Sequence, residues 1–227
     1  MTLSQVQVRL LGCLLEKERT TPDDYPLTAN ALMRAANQST SRHPVVSYDV
    51  HEVERSMAEL KEAGLVRFVF SPSNRATKFR HVLDGAWSCD EEELAVLCLL
   101  MLRGAQTVGE LKTRSERLAS FGSLDAVEAT LRRLAGRDEP MVRLLERAPG
   151  QTEARWAQLV GDEPAPLEPG ASPRAARGGA DEERVSALEA RVDQLEALLA
   201  EVRSELGLAT STPGVDGDEN EEGERWD

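Results

Sequence analysis

The chain contains the same pattern of apolar residues twice, once in residues 3–83 and again in residues 89–160. The match is closest in a segment whose apolar residues are spaced three, four and three positions apart, which places them on one face of a helix. These residues are Val50, Val53, Met57 and Leu60 in the first copy and Leu124, Val127, Leu131 and Leu134 in the second. We therefore predict one small domain that occurs twice.

Each copy begins with a leucine-rich segment whose apolar residues also recur at helical spacing. Because these residues cover one side of a helix, each first helix is predicted to bury a single face. The apolar residues are Leu10, Leu11, Leu14 and Leu15 in the first copy and Leu94, Leu97, Cys98, Met101 and Leu102 in the second.

A short second helix follows in both copies, and a threonine marks its start. Thr107 and Glu110 have the spacing of a capping box, in which the hydroxyl and the carboxylate accept hydrogen bonds from backbone amides at the helix start. Thr28 occupies the equivalent position in the first copy. Ala31 replaces the carboxylate there, so we expect only a simple N-cap.

Helical spacing changes to alternation after the third helix of each copy, which indicates a β-hairpin. Gly64 suits the left-handed turn that ends a helix, and Pro140 stops the helix of the second copy. Three helices followed by a hairpin is the order of elements in a winged helix. The predicted strands are 65–70 and 76–83 around the turn 71–74, and 141–147 and 152–159 around Pro149-Gly150.

These elements predict a mainly α fold with small β-hairpins, of the α+β class, with two tandem winged-helix domains at 1–84 and 85–160. The remaining residues divide into three parts. Residues 161–180 are rich in proline, alanine and glycine and predict a flexible linker. Residues 181–206 predict a coiled-coil helix, and residues 207–227 are so polar and acidic that they predict a disordered tail.

The coiled-coil prediction rests on apolar residues whose spacing alternates between three and four. A lone helix of three heptads is marginally stable, so it needs a partner. Valine and leucine at the core positions, with Arg184 facing Glu189 of a second chain, favour a parallel homodimer. The alternative is a helix that folds back on its own domains. The predicted dimerisation residues are Val185, Leu188, Val192, Leu195, Leu199, Val202 and Leu206.

The formal net charge of −13 is unevenly distributed along the chain. Lys and Arg counted against Asp and Glu give +2 up to residue 83, −3 for residues 84–160 and −12 from residue 161 onward. The acidity therefore belongs to the C-terminal extension, and the first copy is close to neutral with a basic edge.

The first hairpin supplies this basic edge. If its phenylalanines face the core, alternation along the strands directs the arginines and the lysine between them outward. An arginine in the turn, and an Arg-His pair in the loop before the third helix, are predicted to join this surface. The residues expected to face inward are Phe68, Phe70 and Phe79. The candidate nucleic-acid contacts are Arg42, His43, Arg67, Arg75, Lys78 and Arg80.

The third helix, which normally enters the major groove in such a fold, has an acidic outer face. Its outward residues include Glu52, Glu54, Glu59 and Glu62 against Arg55 and Lys61. Because carboxylates repel phosphates, this helix is poorly suited to reading DNA bases. We therefore predict a DNA-binding, transcription-regulator-like dimer that grips the phosphate backbone with its first hairpin and the Arg42 loop. The alternative is a protein–protein interaction scaffold whose acidic helix binds a basic partner. A basic hairpin also occurs as a solvated surface with no ligand.

The sequence carries no motif for catalysis, a cofactor or a metal, so we expect a non-enzymatic protein without a cofactor. The three cysteines lack CxxC spacing, and Cys13 and Cys98 lie among the apolar residues of the first helices, where core positions are expected. The polar cluster 37–47 is predicted to shape its loop, with a small-ligand site as the alternative. Without a signal peptide or a long apolar run, we expect a cytoplasmic protein with no membrane partner.

Several short motifs of the first copy also match a known pattern. They are Leu15-Glu16-Lys17-Glu18, Asp24-Tyr25-Pro26-Leu27-Thr28 and Asn37-Gln38-Ser39 followed by Arg42, Pro44 and Ser47-Tyr48-Asp49. These motifs resemble those of the YceH-like bacterial proteins, a family of unknown function with tandem winged-helix domains. The resemblance covers residues 3 to about 160. It implies the same fold and brings no catalytic residue or ligand.

Overall fold

The computed structural model of the chain describes residues 2–71, 74–147 and 152–161, without the side chains of residues 71, 74 and 75. Both copies of the repeat belong to one compact unit. The predicted linker beyond Gly161, the coiled-coil helix with all its dimerisation residues and the acidic tail lie outside the described residues. They stay predictions.

The first copy consists of three helices and a three-stranded antiparallel sheet of order β1-β3-β2. Its elements are α1 (Gln5–Thr20), a 3₁₀ helix (Pro22–Asp24), β1 (Leu27–Thr28), α2 (Ala29–Ala36), α3 (Val50–Glu62), β2 (Val66–Ser71) and β3 (Asn74–His81). The predicted order of helices and strands is present. The short strand β1 and the 3₁₀ helix were not expected from the sequence.

The second copy repeats this order, after the short helix α4 (Leu83–Ala86) that connects the two. It consists of α5 (Glu91–Arg103), α6 (Val108–Ser115), α7 (Leu124–Ala135), β4 (Val142–Leu144) and β5 (Trp156–Gln158). The described residues therefore form a mixture of helices and small antiparallel sheets, which confirms the α+β class. The strands of the second hairpin are shorter than the predicted 141–147 and 152–159.

The starts of the second helices follow from their capping residues. The Thr107 side chain accepts a hydrogen bond from the Glu110 backbone, and the Glu110 side chain accepts one from Thr107. This capping box is confirmed. Thr28 accepts only from the Ala31 backbone, which confirms the simple cap of the first copy. These hydrogen bonds satisfy backbone amides that have no partner inside the helix.

The two copies also share a strand contact that the sequence did not indicate. Leu27, which precedes the capping threonine of α2, pairs with Phe79 of β3. Gln106 precedes the capping threonine of α6 and pairs with Trp156 of β5. In each copy, the entry to the second helix is therefore hydrogen-bonded to the second strand of the hairpin.

Helices α1 and α5 pack against each other and join the two copies in one core. The prediction that each buries a single face is wrong, because α1 is buried continuously from Gln7 to Leu15 and α5 from Glu93 to Leu102. Each helix contacts its own copy on one side and the other copy on the opposite side. At the contact, the Cys98 thiol donates to the Gly12 carbonyl over 3.4 Å.

The third helices bury three of their four predicted core residues completely. Val53, Met57 and Leu60 are fully buried in α3, and their counterparts in α7 are equally buried. The first residue of each pattern differs: Val50 is half-buried, and Leu124 is exposed. Both lie at the first position of their helix, where the apolar face has not yet reached the core.

The segment before α1 lies against the last described residues of the second copy. The Leu3 amide donates to the Val160 carbonyl over 3.3 Å, and Leu3 forms a parallel bridge with Gly161. Leu3 is buried in the common core. The segment before α1 is thereby attached to the last residues of the second copy.

Candidate nucleic-acid interface

The hairpin β2–β3 presents three cations on the face opposite the core. In the ladder, Arg67 is paired with Arg80 and Phe68 with Phe79. Phe79 is buried, and its ring meets that of Phe68 edge to face with centroids 4.9 Å apart. Since successive side chains of a strand point to opposite faces, Arg67, Arg80 and Lys78 lie on the outer face. Both arginines are exposed, and Lys78 is half-buried.

The pairing of Arg67 with Arg80 places two like charges directly opposite each other, an arrangement that is unfavourable in a sheet unless something neutralises it. Within the part of the chain that the structure describes, no carboxylate forms an ion pair with Arg67, Lys78 or Arg80. These three residues therefore form a cationic surface, here called the cationic hairpin face, that is open to an external anion.

Phe70 does not face the core, so that prediction is wrong. Phe70 is 73% exposed to solvent. The cause is a register shift between Val69 and Ser71, which interrupts the regular alternation near the end of β2. The side chain of Arg75, predicted at the turn, lies outside the described residues.

Arg42 is an interior residue, which corrects its prediction as a nucleic-acid contact. It is only 6% exposed. Its guanidinium donates to both oxygens of the Glu16 carboxylate, over 3.1 and 2.6 Å. It also donates to the carbonyls of Ala35 and Ser41, each over 3.0 Å. With its donors engaged in this way, Arg42 connects α1, α2 and the following loop and has no access to an external phosphate.

His43 is exposed, but it is anchored to the second copy. Its backbone amide donates to the Leu102 carbonyl near the end of α5, over 2.8 Å. Its ring carbon Cδ2 lies close to Gly104, where an added Cβ would be 3.6 Å away. The loop before α3 is therefore attached to the crossing of α1 and α5.

Within the polar cluster 37–47, Asn37 holds the two ends of the loop together, as expected for a residue that shapes it. The side-chain NH₂ group of Asn37 donates to the Tyr48 backbone carbonyl over 2.8 Å. The side-chain oxygen of Asn37 accepts from the Tyr48 backbone amide over 2.9 Å. Arg9, which the sequence analysis missed, donates to the Pro44 carbonyl over 2.7 Å from a buried position on α1. The available signal was an arginine between Val8 and Leu10, inside an otherwise apolar run of α1.

Helix α3 presents carboxylates where a major-groove helix would meet phosphates. Glu54, Glu59 and Glu62 are exposed along it. At its start, the Glu52 backbone amide donates to the Asp49 carboxylate and holds the pKa of that carboxyl below its usual value. Lys61, in the last turn, is placed over the Phe68 ring, 4.6 Å from its centroid. The acidic face predicted for this helix is present.

A buried polar group connects β3 to α1, and no sequence pattern had indicated it. His81 Nε2 is 2.7 Å from the Glu18 carboxylate, and Nδ1 accepts from the Leu83 amide over 3.3 Å. The His81 backbone amide donates to the Tyr25 hydroxyl over 2.8 Å. Burial lowers the pKa of His81, against the opposing effect of Glu18. The neutral ring, with its proton on Nε2, satisfies both hydrogen bonds.

In the second copy, the arginines at the end of α7 are paired with the acidic start of α5. Arg137 donates to the Glu93 carboxylate and to the Trp87 carbonyl, each over 2.7 Å. Arg133 donates to Asp90 over 2.9 Å. These arginines are therefore engaged inside the second copy, in contrast to the cationic hairpin face of the first.

The described residues offer little for other kinds of chemistry. None of their His, Cys, Asp and Glu side chains form a group that could hold a metal ion. Cys13 and Cys98 lie in the core as predicted, and burial raises the pKa of Cys13 to about 11. Over the same residues, no helix combines the length and apolarity needed to cross a membrane.

Comparison with known proteins finds uncharacterised bacterial relatives. A family model described as a protein of unknown function, DUF480, matches residues 3–151. A UPF0502 protein of Geotalea uraniireducens is 46% identical over 196 residues, which covers 85% of this chain and 89% of the relative. A UPF0502 protein of Geobacter sulfurreducens is 44% identical over 197 residues, with 85% and 90% covered. One from Solibacter usitatus is 41% identical over 201 residues, with 88% and 96% covered.

The similarity extends past the two copies. A match that covers 88% of the 227 residues leaves 12%, about 27 residues, outside it. The residues after Gly161 are more numerous than that. At least part of the C-terminal extension is therefore shared with this relative.

Proposed function

We propose that this chain, which belongs to the DUF480 family, is a tandem winged-helix protein that binds duplex DNA through its first hairpin. In this reading each copy is one winged-helix domain, at 1–84 and 85–160, and the hairpin β2–β3 is the wing. The protein then acts as a non-enzymatic, transcription-regulator-like DNA binder, without a cofactor.

One observation carries this proposal: Arg67 and Arg80 oppose each other on an exposed face and have no carboxylate partner among the described residues. An unneutralised pair of this kind is unfavourable in the free protein. Phosphates of a nucleic-acid backbone would neutralise both guanidinium groups with charge-assisted hydrogen bonds. Lys78, on the same face, adds a third positive charge.

The hairpin, and not α3, is the proposed contact because of the charges on the helix. The start of a recognition helix normally approaches the bases most closely. Here that position holds Asp49, whose carboxyl stays ionised, followed by Glu52 and Glu54. We therefore place the hairpin against the DNA backbone and α3 away from the groove.

Dimerisation would double these contacts. The heptad residues of 181–206 are proposed to pair two chains in parallel, so that each dimer carries two cationic hairpin faces. Joining two weak sites raises the overall affinity when both reach the same DNA, because the second contact becomes intramolecular. Sedimentation velocity of the full chain and of a variant with Leu188→Asp and Leu195→Asp tests this point. We expect a dimer for the first and a monomer for the second.

The test of DNA binding is its salt dependence, measured by fluorescence anisotropy with a labelled random duplex. Each phosphate contact contributes a slope of about −0.9 to a plot of log affinity against log salt, so three contacts per chain give about −5 for a dimer. The double variant Arg67→Ala with Arg80→Ala should flatten that slope to about −2, because it removes four contacts per dimer.

The matched control is the double variant Arg34→Ala with Arg117→Ala. It removes the same charge from exposed positions on α2 and after α6, so its slope should stay at the wild-type value. A wild-type slope near zero, or equal slopes for the two double variants, would contradict DNA binding through this hairpin.

A second candidate function is favoured by the exposed carboxylates of α3. Glu54, Glu59 and Glu62 form a surface suited to a basic protein partner. In that case the chain is an interaction scaffold. A pull-down with the full chain from cell extract, with and without nuclease, distinguishes the two. A nuclease-resistant protein that is lost with Glu54→Gln and Glu62→Gln supports the scaffold.

A further inference from the structure

Phe70 is the most exposed large apolar residue of the described chain, with 73% of its surface accessible. The other phenylalanines of the hairpin behave differently, since Phe68 packs on Phe79 with ring centroids 4.9 Å apart. Single exposed apolar residues are common on protein surfaces. The position of Phe70, and not its exposure alone, makes it informative.

The residue lies on the same strand as the cationic hairpin face. Phe70 is three residues after Arg67 on β2, which corresponds to about 10 Å along a strand. The register shift between Val69 and Ser71 frees Phe70 from the regular ladder. The hairpin thus carries cations along its length and an exposed aromatic ring towards its turn.

This combination matches what a protein needs to unstack bases in duplex DNA. Proteins that bind the minor groove insert apolar side chains between adjacent base pairs, and cations beside the insertion hold the backbone. The minor groove is about 6 Å wide, which admits a side chain but not a helix. Pyrimidine–purine steps such as TA unstack most readily.

We infer that Phe70 inserts between adjacent bases from the minor groove, while Arg67, Lys78 and Arg80 hold the flanking phosphates. This inference rests on the proposed function and identifies the ligand of the same site as duplex DNA with a deformable step. The three cations on the same hairpin favour DNA over an apolar protein pocket, because an apolar pocket would leave these cations without anionic partners.

The test uses the full-length chain and a duplex with 2-aminopurine at a central TA step, whose fluorescence rises when the base unstacks. We expect the wild-type chain to raise this fluorescence on binding. Phe70→Ala should bind about tenfold more weakly and leave the fluorescence unchanged, with the wild-type salt slope. Phe70→Leu keeps an apolar side chain that can insert, so it should retain the affinity and the signal.

The comparison with Arg67→Ala and Arg80→Ala separates this inference from the proposed function. Those variants should reduce the salt slope, whereas Phe70→Ala should reduce only affinity and unstacking. If Phe70→Ala matches the wild type in affinity and in base unstacking, the insertion is overturned, while the proposed phosphate contacts are unaffected. If the wild-type chain binds no duplex, the proposed DNA binding and the insertion of Phe70 are both overturned.

Two further outcomes bear on the inference. Tighter binding of a single strand than of the duplex, with the Phe70→Ala loss confined to the single strand, overturns the assignment to duplex DNA. An unchanged thermal midpoint for Phe70→Ala supports it, because it shows that the tenfold loss does not come from unfolding. A lowered midpoint overturns the assignment of an exposed ring.

Discussion

The Arg42 guanidinium and the Glu16 carboxylate form a two-point ion pair, with N–O distances of 3.1 and 2.6 Å, between α1 and the loop that follows α2. The arginine side chain is fully enclosed, and the carboxylate is partly exposed. This pair gives a buried cation the hydrogen bonds it needs and fixes the loop before α3.

Arg42→Ala should lower the free energy of unfolding by about 3 kcal/mol, because it leaves Glu16 and two backbone carbonyls without their partner. Urea unfolding followed by circular dichroism measures this. Arg34→Ala, an exposed arginine on α2, is the control and should change stability by less than about 0.5 kcal/mol. Equal stabilities of the two variants would place Arg42 back at the surface.

Gly12 should resist substitution because α1 and α5 approach closely there. An added Cβ would lie 2.9 Å from Leu102 Cδ2 and 3.3 Å from Met101 Cβ. Gly12→Ala should therefore lower the free energy of unfolding by about 1 kcal/mol, since overpacking outweighs the better helix propensity of alanine. The same change at Gly109 in α6, which has room for a Cβ, should gain up to about 1 kcal/mol. Urea unfolding should therefore show a decrease in the free energy of unfolding for the Gly12 variant and an increase for the Gly109 variant.

Stability should fall on mild acidification because of His81. Burial lowers its pKa in the folded protein, whereas in the unfolded chain it is about 6.5. Below that pH the unfolded state binds the proton more readily, so the free energy of unfolding decreases as pH falls and is independent of this group above about pH 7.5. His81→Gln should flatten the profile measured by urea unfolding from pH 8 to 5. His51→Gln, at an exposed site on α3, should leave it unchanged.

Neutralising α3 should discriminate between the two proposed functions. Two unit charges about 8 Å apart in water repel by about 0.5 kcal/mol, so Glu54→Gln with Glu62→Gln should raise affinity for duplex DNA about fivefold at low salt. For a scaffold with a basic partner, the same variant should lose partner binding. Glu116→Gln with Glu139→Gln, exposed sites of the second copy, controls for net charge. Anisotropy titrations at about 20 mM and about 200 mM salt measure DNA and partner binding. Surface charges are screened much less at the lower concentration, so the charge effect should be larger there.

Much of the fold could be predicted because it depends on local chemistry. Thr107 and Glu110 form a capping box wherever the spacing occurs at a helix start, and Gly64 adopts the left-handed conformation that few other residues tolerate. The outward direction of Arg67 and Arg80 followed from the alternation of a strand. Each of these signals lies within a few residues of the feature it predicts.

The errors in the candidate site have a different origin. Arg42 looked like a surface cation because its partner Glu16 is 26 residues away in sequence. Phe70 looked like a core residue because no local signal marks a register shift. The full burial of α5 had a signal, nine consecutive apolar residues from Leu94 to Leu102, which indicates a helix surrounded by protein.

The sequence by itself determined where the three main helices and the hairpin of each copy lie, how the second helices begin, and that one pattern occurs twice. Helix and strand propensity, capping and apolar periodicity depend on residues that are close in sequence, so they can be read from the sequence. Only the tertiary structure decided that α1 and α5 join the copies in one core, that Arg42 is interior, and that no carboxylate of the described residues pairs with the cationic hairpin face. These features depend on which distant residues meet, and local spacing carries no information about that.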